Sequence, residues 1–188
     1  VKNTLAVLSA VAAQTFRDVS SKADLEKYQA RLAAFGRAHD LLTSEHWAAA
    51  PLHDVIDSAL TPYRTGEGRF TASGPPLLVK SRQALALSLA IHELATNAFK
   101  YGALTVASGH VSVTWRSEDQ AGEPTFVFVW QELGGPPASK PGGVGFGSRL
   151  ISRVLQDDFK GSVEVSYEPA GLVCRLTAPL ENLETPRA

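Results

Sequence analysis

Apolar positions in the first quarter of the chain recur every three or four residues, which is the spacing of a helix face. One such stripe runs over residues 1–16 and a second over residues 25–42, with Ser20 and Ser21 between them as candidate caps. A two-helix hairpin cannot bury both stripes by itself. The pattern therefore predicts a helical hairpin over residues 1–46 that packs against the rest of the chain or against a second copy.

The rest of the chain mixes helical and extended patterns. Helices are expected from Pro51, from a Ser81 cap to about Tyr101, and near residues 148–158. Alternation and flanking turn residues predict strands near 69–72, 77–79, 111–115, 126–130, 162–167 and 172–177. Helices combined with a largely antiparallel sheet indicate an α+β sandwich over residues 47–188, with helices on one face and the other face partly open.

Composition narrows the functional classes. The chain has 188 residues, 44% of them hydrophobic, and a formal net charge of -1, which gives no basic footprint for nucleic acid. No apolar run approaches the roughly 20 residues of a membrane helix, and no signal peptide is visible. The single cysteine, Cys174, fits a reducing compartment, so a cytoplasmic location is expected. Because the chain contains no methionine, we expect it to be a piece of a longer protein.

One face of the helix expected before residue 101 carries three polar side chains. Glu93, Asn97 and Lys100 stand at i, i+4 and i+7, so they share that face. An amide oxygen can ligate Mg²⁺, an ammonium can meet a phosphate oxygen, and a carboxylate can orient a water or accept a proton. On spacing alone, an ordinary helix with a solvated polar face is an equal alternative.

Residues 142–147 form a loop with four glycines, directly before the expected third helix. Glycine admits backbone angles that aim successive N–H groups at one anion, and the helix start that follows at Ser148 favours negative charge. A glycine run alone is a weak signal, because many flexible loops look the same. Its position beside the polar helix predicts a phosphate cradle and a mobile lid over residues 133–147.

Glu132 ends an apolar strand, where a carboxylate can accept a hydrogen bond from an exocyclic amine such as that of adenine. The commoner explanation is a surface acid at a strand end. Trp130 is expected in the core. The sequence has no zinc-ligand spacing, no serine nucleophile elbow and no P-loop.

These motifs together resemble those of one family of signalling enzymes. Residues 92–104 resemble the N box of the HWE subfamily of sensor histidine kinases, which is named for a histidine in that box and a later Trp-x-Glu. His92 and the Trp130-Gln-Glu132 triplet match both. Three further segments resemble family motifs, and all five motifs occur in the family's order along the chain. Residues 1–5 resemble the end of its His-Arg-x-Lys-Asn phosphoacceptor motif, residues 31–42 its second hairpin helix, and residues 145–151 its second glycine box.

The resemblance implies a dimerisation and phosphotransfer hairpin followed by an ATP-binding domain of the Bergerat fold, shared with gyrase and MutL, with a mixed, mainly antiparallel sheet. It implies that Asn97 ligates Mg²⁺ and that Lys100 contacts phosphate. Together with Glu93, these two residues form the expected catalytic set. Glu132 stands where most histidine kinases place an aspartate that binds the adenine amine. The remaining residues implied to border ATP are His92, Tyr101, Gly134, Gly143, Gly145, Phe146, Gly147 and Ser148.

The implied activity is transfer of the γ-phosphoryl of ATP to a hairpin histidine, and then to an aspartate of a response regulator receiver domain. A sensory domain, of PAS type for example, is expected upstream, and a homodimer through residues 1–46 is permitted. The chain departs from the family in one respect, because it begins after the position of the phosphorylated histidine. Two alternatives stay open: ATP hydrolysis with Glu93 activating water, and a non-catalytic nucleotide- or partner-binding scaffold.

Overall fold

A computed structural model of the chain describes residues 30–33, 36, 49–64, 68–138 and 146–183, with the backbone alone for residues 146–151. Residues 30–33 and 36 are helical. The rest of the hairpin predicted over residues 1–46 lies outside the described residues, and so does the glycine-rich loop before residue 146.

Besides the helical residues 30–33 and 36, the described part of the chain contains three helices and seven strands. In chain order they are β1 (Ala49–Pro51), α1 (Leu52–Leu60), β2 (Phe70–Ser73), β3 (Leu78–Lys80), α2 (Ser81–Lys100), β4 (His110–Gln120), β5 (Glu123–Leu133), α3 (Phe146–Phe159), β6 (Ser162–Glu168) and β7 (Gly171–Pro179). Short 3₁₀ turns follow α1, α2 and β7, at Thr61–Tyr63, Ala103–Thr105 and Leu180–Asn182.

The main sheet has five strands in the order β2-β4-β5-β7-β6. Strand β2 runs parallel to β4, and the other three pairs are antiparallel. The strands β4 and β5 form a long hairpin in which His110 lies opposite Leu133. The prediction of an α+β fold with a mixed, mainly antiparallel sheet is therefore confirmed.

Alternation along the strands separates the two faces of the sheet. On β4, Val111, Val113 and Trp115 are buried against the helices, whereas Ser112 and Thr114 on the opposite face are half-buried. The apolar stripe of α1 and most of α2 complete the core on the helical side. Burial of apolar surface at about 25 cal/mol per Å² makes this layer the main source of stability.

Two predicted helix starts differ from the structure in detail. The predicted cap Ser81 is the first residue of α2, and the capping position belongs to Lys80, whose N–H donates to Oε1 of Gln83 at 2.9 Å. Pro51 precedes α1 instead of lying within its first turn, because it also ends β1, a strand absent from the prediction. Strand β1 pairs with β3, and such a three-residue strand has too few positions to show an alternating pattern.

Helix α2 crosses the core, and its first turn is fixed by long-range contacts. The buried side chain of Gln83 donates through Nε2 to the carbonyl of Asn182 at 3.0 Å. The opposite end of α2, which carries the predicted polar face, emerges beside the ends of β4 and β5. None of the helices in the described ranges combines the length and hydropathy required to cross a bilayer.

Candidate functional site

The last turn of α2 carries three of the predicted site residues. Asn97 is half-buried, Lys100 is exposed as the final helical residue, and Tyr101 is 77% exposed at the C-cap. The helix ends because the carbonyl of Asn97 accepts the N–H groups of both Tyr101, at 2.8 Å, and Gly102, at 3.1 Å. An ammonium is favoured at this helix end, where the backbone dipole is negative. An amide, an ammonium and a phenol therefore lie within two turns at a surface-exposed helix end.

The carboxyl group of Glu132 is buried against the loop that follows this helix. Its Oε2 accepts the N–H of Ala103 at 2.8 Å, and its Oε1 lies 3.5 Å from Nε1 of Trp130. Burial raises the pKa of the Glu132 carboxyl above its ordinary value, whereas the two N–H groups act in the opposite direction. Trp130 is fully buried, as expected of a core residue.

Glycines allow the strand end and the helix end to approach each other. A Cβ at Gly102 would collide with Oε2 of Glu132, and a Cβ at Gly135 would collide with the backbone of Ala103. Gly134 adopts φ +71°, a left-handed conformation that favours glycine. Its carbonyl oxygen accepts a hydrogen bond from the Ser108 hydroxyl at 2.8 Å. The structure thus brings the Trp-x-Glu strand end and the N-box helix end together.

His92 lies on the inner side of α2 and is buried. Its Nδ1 is hydrogen-bonded to the hydroxyl of Tyr63. Its carbonyl oxygen accepts a hydrogen bond from the Thr96 hydroxyl at 2.8 Å. The Tyr63 ring in turn stacks on Phe99, about two turns after His92 on α2. These contacts join the 3₁₀ turn after α1 to α2, and contact between His92 and a nucleotide stays a prediction.

Glu93 forms a buried ion pair that sequence reasoning did not predict. Nε of Arg31 lies 2.5 Å from Oε1 of Glu93, and a terminal guanidinium nitrogen lies 2.9 Å from Oε2. The two side chains are 9% and 10% exposed. Such a two-point arrangement matches the planar fork of arginine to a carboxylate. Both carboxylate oxygens of Glu93 are therefore engaged by a residue that precedes it by 62 positions.

Arg69 was also missed, and it organises the loop between α2 and β4. Its guanidinium donates to the carbonyl oxygens of Leu104 at 3.1 Å, Val106 at 2.6 Å and Gly109 at 3.2 Å. It also lies 5.9 Å from the centre of the Phe99 ring. A single arginine beside turn glycines gave no sequence signal, because its partners lie 35–40 positions away. Arg69 holds the loop whose Ala103 N–H binds Glu132.

The second glycine box is described only in part. Gly143 and Gly145 lie outside the described residues, whereas Phe146, Gly147 and Ser148 form the first turn of α3. The third predicted helix is confirmed, and it begins two residues earlier than the predicted Ser148. The lid and phosphate cradle expected over residues 133–147 stay predictions.

Few side chains at this site are available for a metal ion. Within the described ranges, no group of three or more His, Cys, Asp or Glu residues is arranged to hold one. On the predicted polar face, Glu93 already binds Arg31, which leaves the half-buried amide of Asn97 as the oxygen donor. One amide ligand suits Mg²⁺, which keeps several waters and takes most of its other ligands from phosphates.

Comparison with known proteins places these motifs in one family. The profile of HWE histidine kinases matches residues 1–76. A blue-light-activated histidine kinase of Brucella ovis is 39% identical over 181 residues, which cover 95% of this chain and 37% of that protein. The corresponding Brucella anthropi protein is 37% identical over the same length. The chain thus spans little more than a third of the length of these curated relatives.

The fold matches a solved kinase domain. The histidine kinase domain of the Erythrobacter litoralis EL346 blue-light activated histidine kinase superposes with a TM-score of 0.63. The match covers 94% of this chain and 83% of that domain, at 18% sequence identity. At this identity the likeness establishes the fold, and the motifs and the Brucella relatives carry the family assignment.

Proposed function

Because the chain belongs to the HWE family of histidine kinases, we propose that it binds MgATP at the C-terminal end of α2 and acts as the catalytic core of a sensor kinase. The observation that carries this proposal is the convergence of the N-box helix end with the Trp-x-Glu strand end. There, a buried carboxylate, a half-buried amide and an exposed ammonium lie around one loop. Phosphoryl transfer needs positioning and charge neutralisation more than covalent chemistry from the protein.

Each residue of this cluster suits one part of MgATP. Asn97 offers the amide oxygen for Mg²⁺, which neutralises charge on the phosphates when it is bound. Lys100 offers a positive charge to a phosphate oxygen. One oxygen of Glu132 is bound to Ala103. Among the described residues, its Oε1 has a hydrogen-bond contact only with Nε1 of Trp130, at 3.5 Å, so that oxygen suits the adenine amine. The glycines of residues 142–147 complete the phosphate cradle in this proposal.

We further propose the division of labour that the family suggests. Residues 1–46 serve as the phosphotransfer hairpin and a possible dimer contact, and residues 47–188 serve as the ATP-binding domain. The γ-phosphoryl passes to a hairpin histidine and then to an aspartate of a response regulator receiver domain. The "blue-light-activated" names of the Brucella relatives are consistent with control by a sensory domain in proteins of this family.

A second candidate function is ATP hydrolysis, since Glu93 lies one turn before Asn97. The ion pair with Arg31 disfavours it, because both carboxylate oxygens already accept charged hydrogen bonds with which a water would have to compete. A non-catalytic scaffold is the third candidate, and it requires that MgATP does not bind.

Titration calorimetry and acid-labile labelling test the proposal together. The chain is expected to bind ATP only with Mg²⁺, and Asn97→Ala should reduce the affinity roughly ten- to hundredfold, as for loss of a contact worth about 1.5–3 kcal/mol. Asn97→Asp is the matched control, because it keeps an oxygen ligand. Near-normal affinity of Asn97→Ala would remove Asn97 from the site.

Labelling with γ-labelled MgATP then distinguishes a kinase from the other candidates. A chain extended ahead of Val1 by the family's His-Arg pair is expected to take up acid-labile, base-stable label, whereas the 188-residue chain takes up none. Absence of label on both chains, with MgATP still bound, would favour hydrolysis or a scaffold.

A further inference from the structure

The buried ion pair between Arg31 and Glu93 joins two distant parts of the chain at the proposed catalytic centre. Arg31 belongs to the short helical segment 30–33, and Glu93 lies in the middle of α2. The two N···O distances, 2.5 and 2.9 Å, use both carboxylate oxygens. Removing two opposite charges from water carries a desolvation penalty, and only a close, hydrogen-bonded ion pair offsets that penalty. The pair therefore fixes which way the Glu93 carboxylate is directed.

The position of Glu93 on α2 gives this fixation a chemical consequence. Residues four apart on a helix are neighbours on one face, so the Glu93 carboxylate lies one turn from the proposed Mg²⁺ ligand Asn97. A free carboxylate there can act as a general base for water. The water oxygen would bond to the γ-phosphorus, the bond to the bridging oxygen of ADP would break, and the water proton would pass to Glu93. The products would be ADP and inorganic phosphate.

We infer that Arg31 is a positioning residue that denies this base to water and so directs the γ-phosphoryl to a protein acceptor. While the guanidinium binds both oxygens, a water beside the phosphates must compete with two charged hydrogen bonds for the Glu93 carboxylate. The inference rests on the proposed MgATP site. It assigns acceptor specificity to a side chain that lies outside the ATP-binding domain itself.

Four variants of the 188-residue chain test the inference by phosphate release from MgATP. Arg31→Ala is expected to raise kcat for phosphate release by about ten- to a hundredfold. This increase is smaller than the roughly 10²–10⁴-fold contribution of a fully positioned general base. KM and the calorimetric affinity for MgATP should not change. The double variant Arg31→Ala/Glu93→Gln should return to the wild-type rate, because the liberated base is gone.

Arg31→Lys protects the test against loss of folding in Arg31→Ala. An ammonium keeps the charge but cannot form the two-point fork, so a smaller rise in kcat at unchanged KM is expected. Arg82→Ala is the matched control. Arg82 lies at the opposite end of α2 from the proposed site, its side chain is 68% exposed, and it pairs with Asp158 of α3. It should release phosphate at the wild-type rate.

The outcomes separate this inference from the proposed function. If folded Arg31→Lys binds MgATP and releases phosphate no faster than wild type, Arg31 is only a structural anchor and the inference is wrong. If Arg31 variants release phosphate faster but Glu93→Gln does not suppress the increase, Glu93 is not the base and the inference also fails. If the wild-type chain does not bind MgATP in calorimetry, the proposed function is wrong, and the inference that rests on it is wrong as well.

Discussion

Glu132 illustrates at the residue scale how a motif residue acquires its properties from packing. Its burial opposes ionisation, and the N–H of Ala103 partly compensates. The Trp-x-Glu spacing identified the residue, whereas its protonation behaviour follows from the helix end packed against it. The sequence predicted a carboxylate at a strand end, and nothing in the local pattern predicted its burial.

The raised pKa of Glu132 gives a prediction for stability. A carboxyl whose folded-state pKa is raised contributes stability that is complete below its unfolded pKa, about 4.3, and is lost as the pH rises through the folded value. Glu132→Gln cannot ionise and keeps an acceptor oxygen for Ala103. We therefore expect its free energy of unfolding, relative to wild type, to increase as the pH rises from 4 to 7, measured by urea denaturation.

An exposed glutamate shows whether the pH dependence expected for Glu132→Gln is caused by burial of the carboxyl. Glu123, exposed at the start of β5, provides the control variant Glu123→Gln, which should show no such trend. A difference between Glu132→Gln and wild type that is constant over this pH range would mean that the Glu132 carboxyl titrates normally.

At the element scale, the decisive feature is the junction of α2 with the loop before β4. Periodicity predicted the helix to within one residue and the first half of β4, because each pattern is carried by neighbouring residues. The loop conformation depends instead on Arg69, whose guanidinium gathers three carbonyl groups. The helix caps were less predictable for the same reason, since strand pairing places Pro51 and Lys80 before the helices.

This junction predicts a steric effect at Gly102. An added Cβ would overlap Oε2 of Glu132 and lie 2.9 Å from Cα of Ala98. Gly102→Ala should therefore lower the free energy of unfolding by about 1–3 kcal/mol, the usual cost of overpacking, and weaken MgATP binding. Chemical denaturation and calorimetry measure the two effects.

Gly36 supplies the comparison for this variant. It is helical, and an added Cβ meets nothing within 4 Å, so Gly36→Ala should be neutral or stabilising by up to about 1 kcal/mol. Equal destabilisation by the two substitutions would show that the approach of Gly102 to Glu132 is not tight in solution.

At the scale of the whole molecule, the Arg31–Glu93 pair connects the helical segment 30–33 to helix α2. Removing Arg31 leaves the Glu93 carboxylate buried without its two charged hydrogen bonds. Arg31→Met is therefore expected to lower the free energy of unfolding by about 3–5 kcal/mol, and the double variant Arg31→Met/Glu93→Leu to restore most of it. A double-mutant cycle on urea denaturation measures the coupling.

The surface pair of Arg64 and Asp57, 2.6 Å apart and about 40% exposed, provides the comparison. Its coupling should be at most about 1 kcal/mol, because water screens exposed charges. Additive effects of the Arg31 and Glu93 substitutions would mean that segment 30–33 does not dock on α2 in solution.

The sequence by itself determined the types of the long elements, the α+β class with a largely antiparallel sheet, and the motifs that define the family. These properties are written in the spacing of neighbouring residues, through the periods of helices and strands and through short motifs. Only the tertiary structure decided that Arg31 holds Glu93, that Arg69 gathers the loop, and that the carboxyl of Glu132 is buried. Each of these contacts joins residues 29–62 positions apart. Whether two such side chains meet depends on how the helices and the sheet pack, which no local pattern specifies.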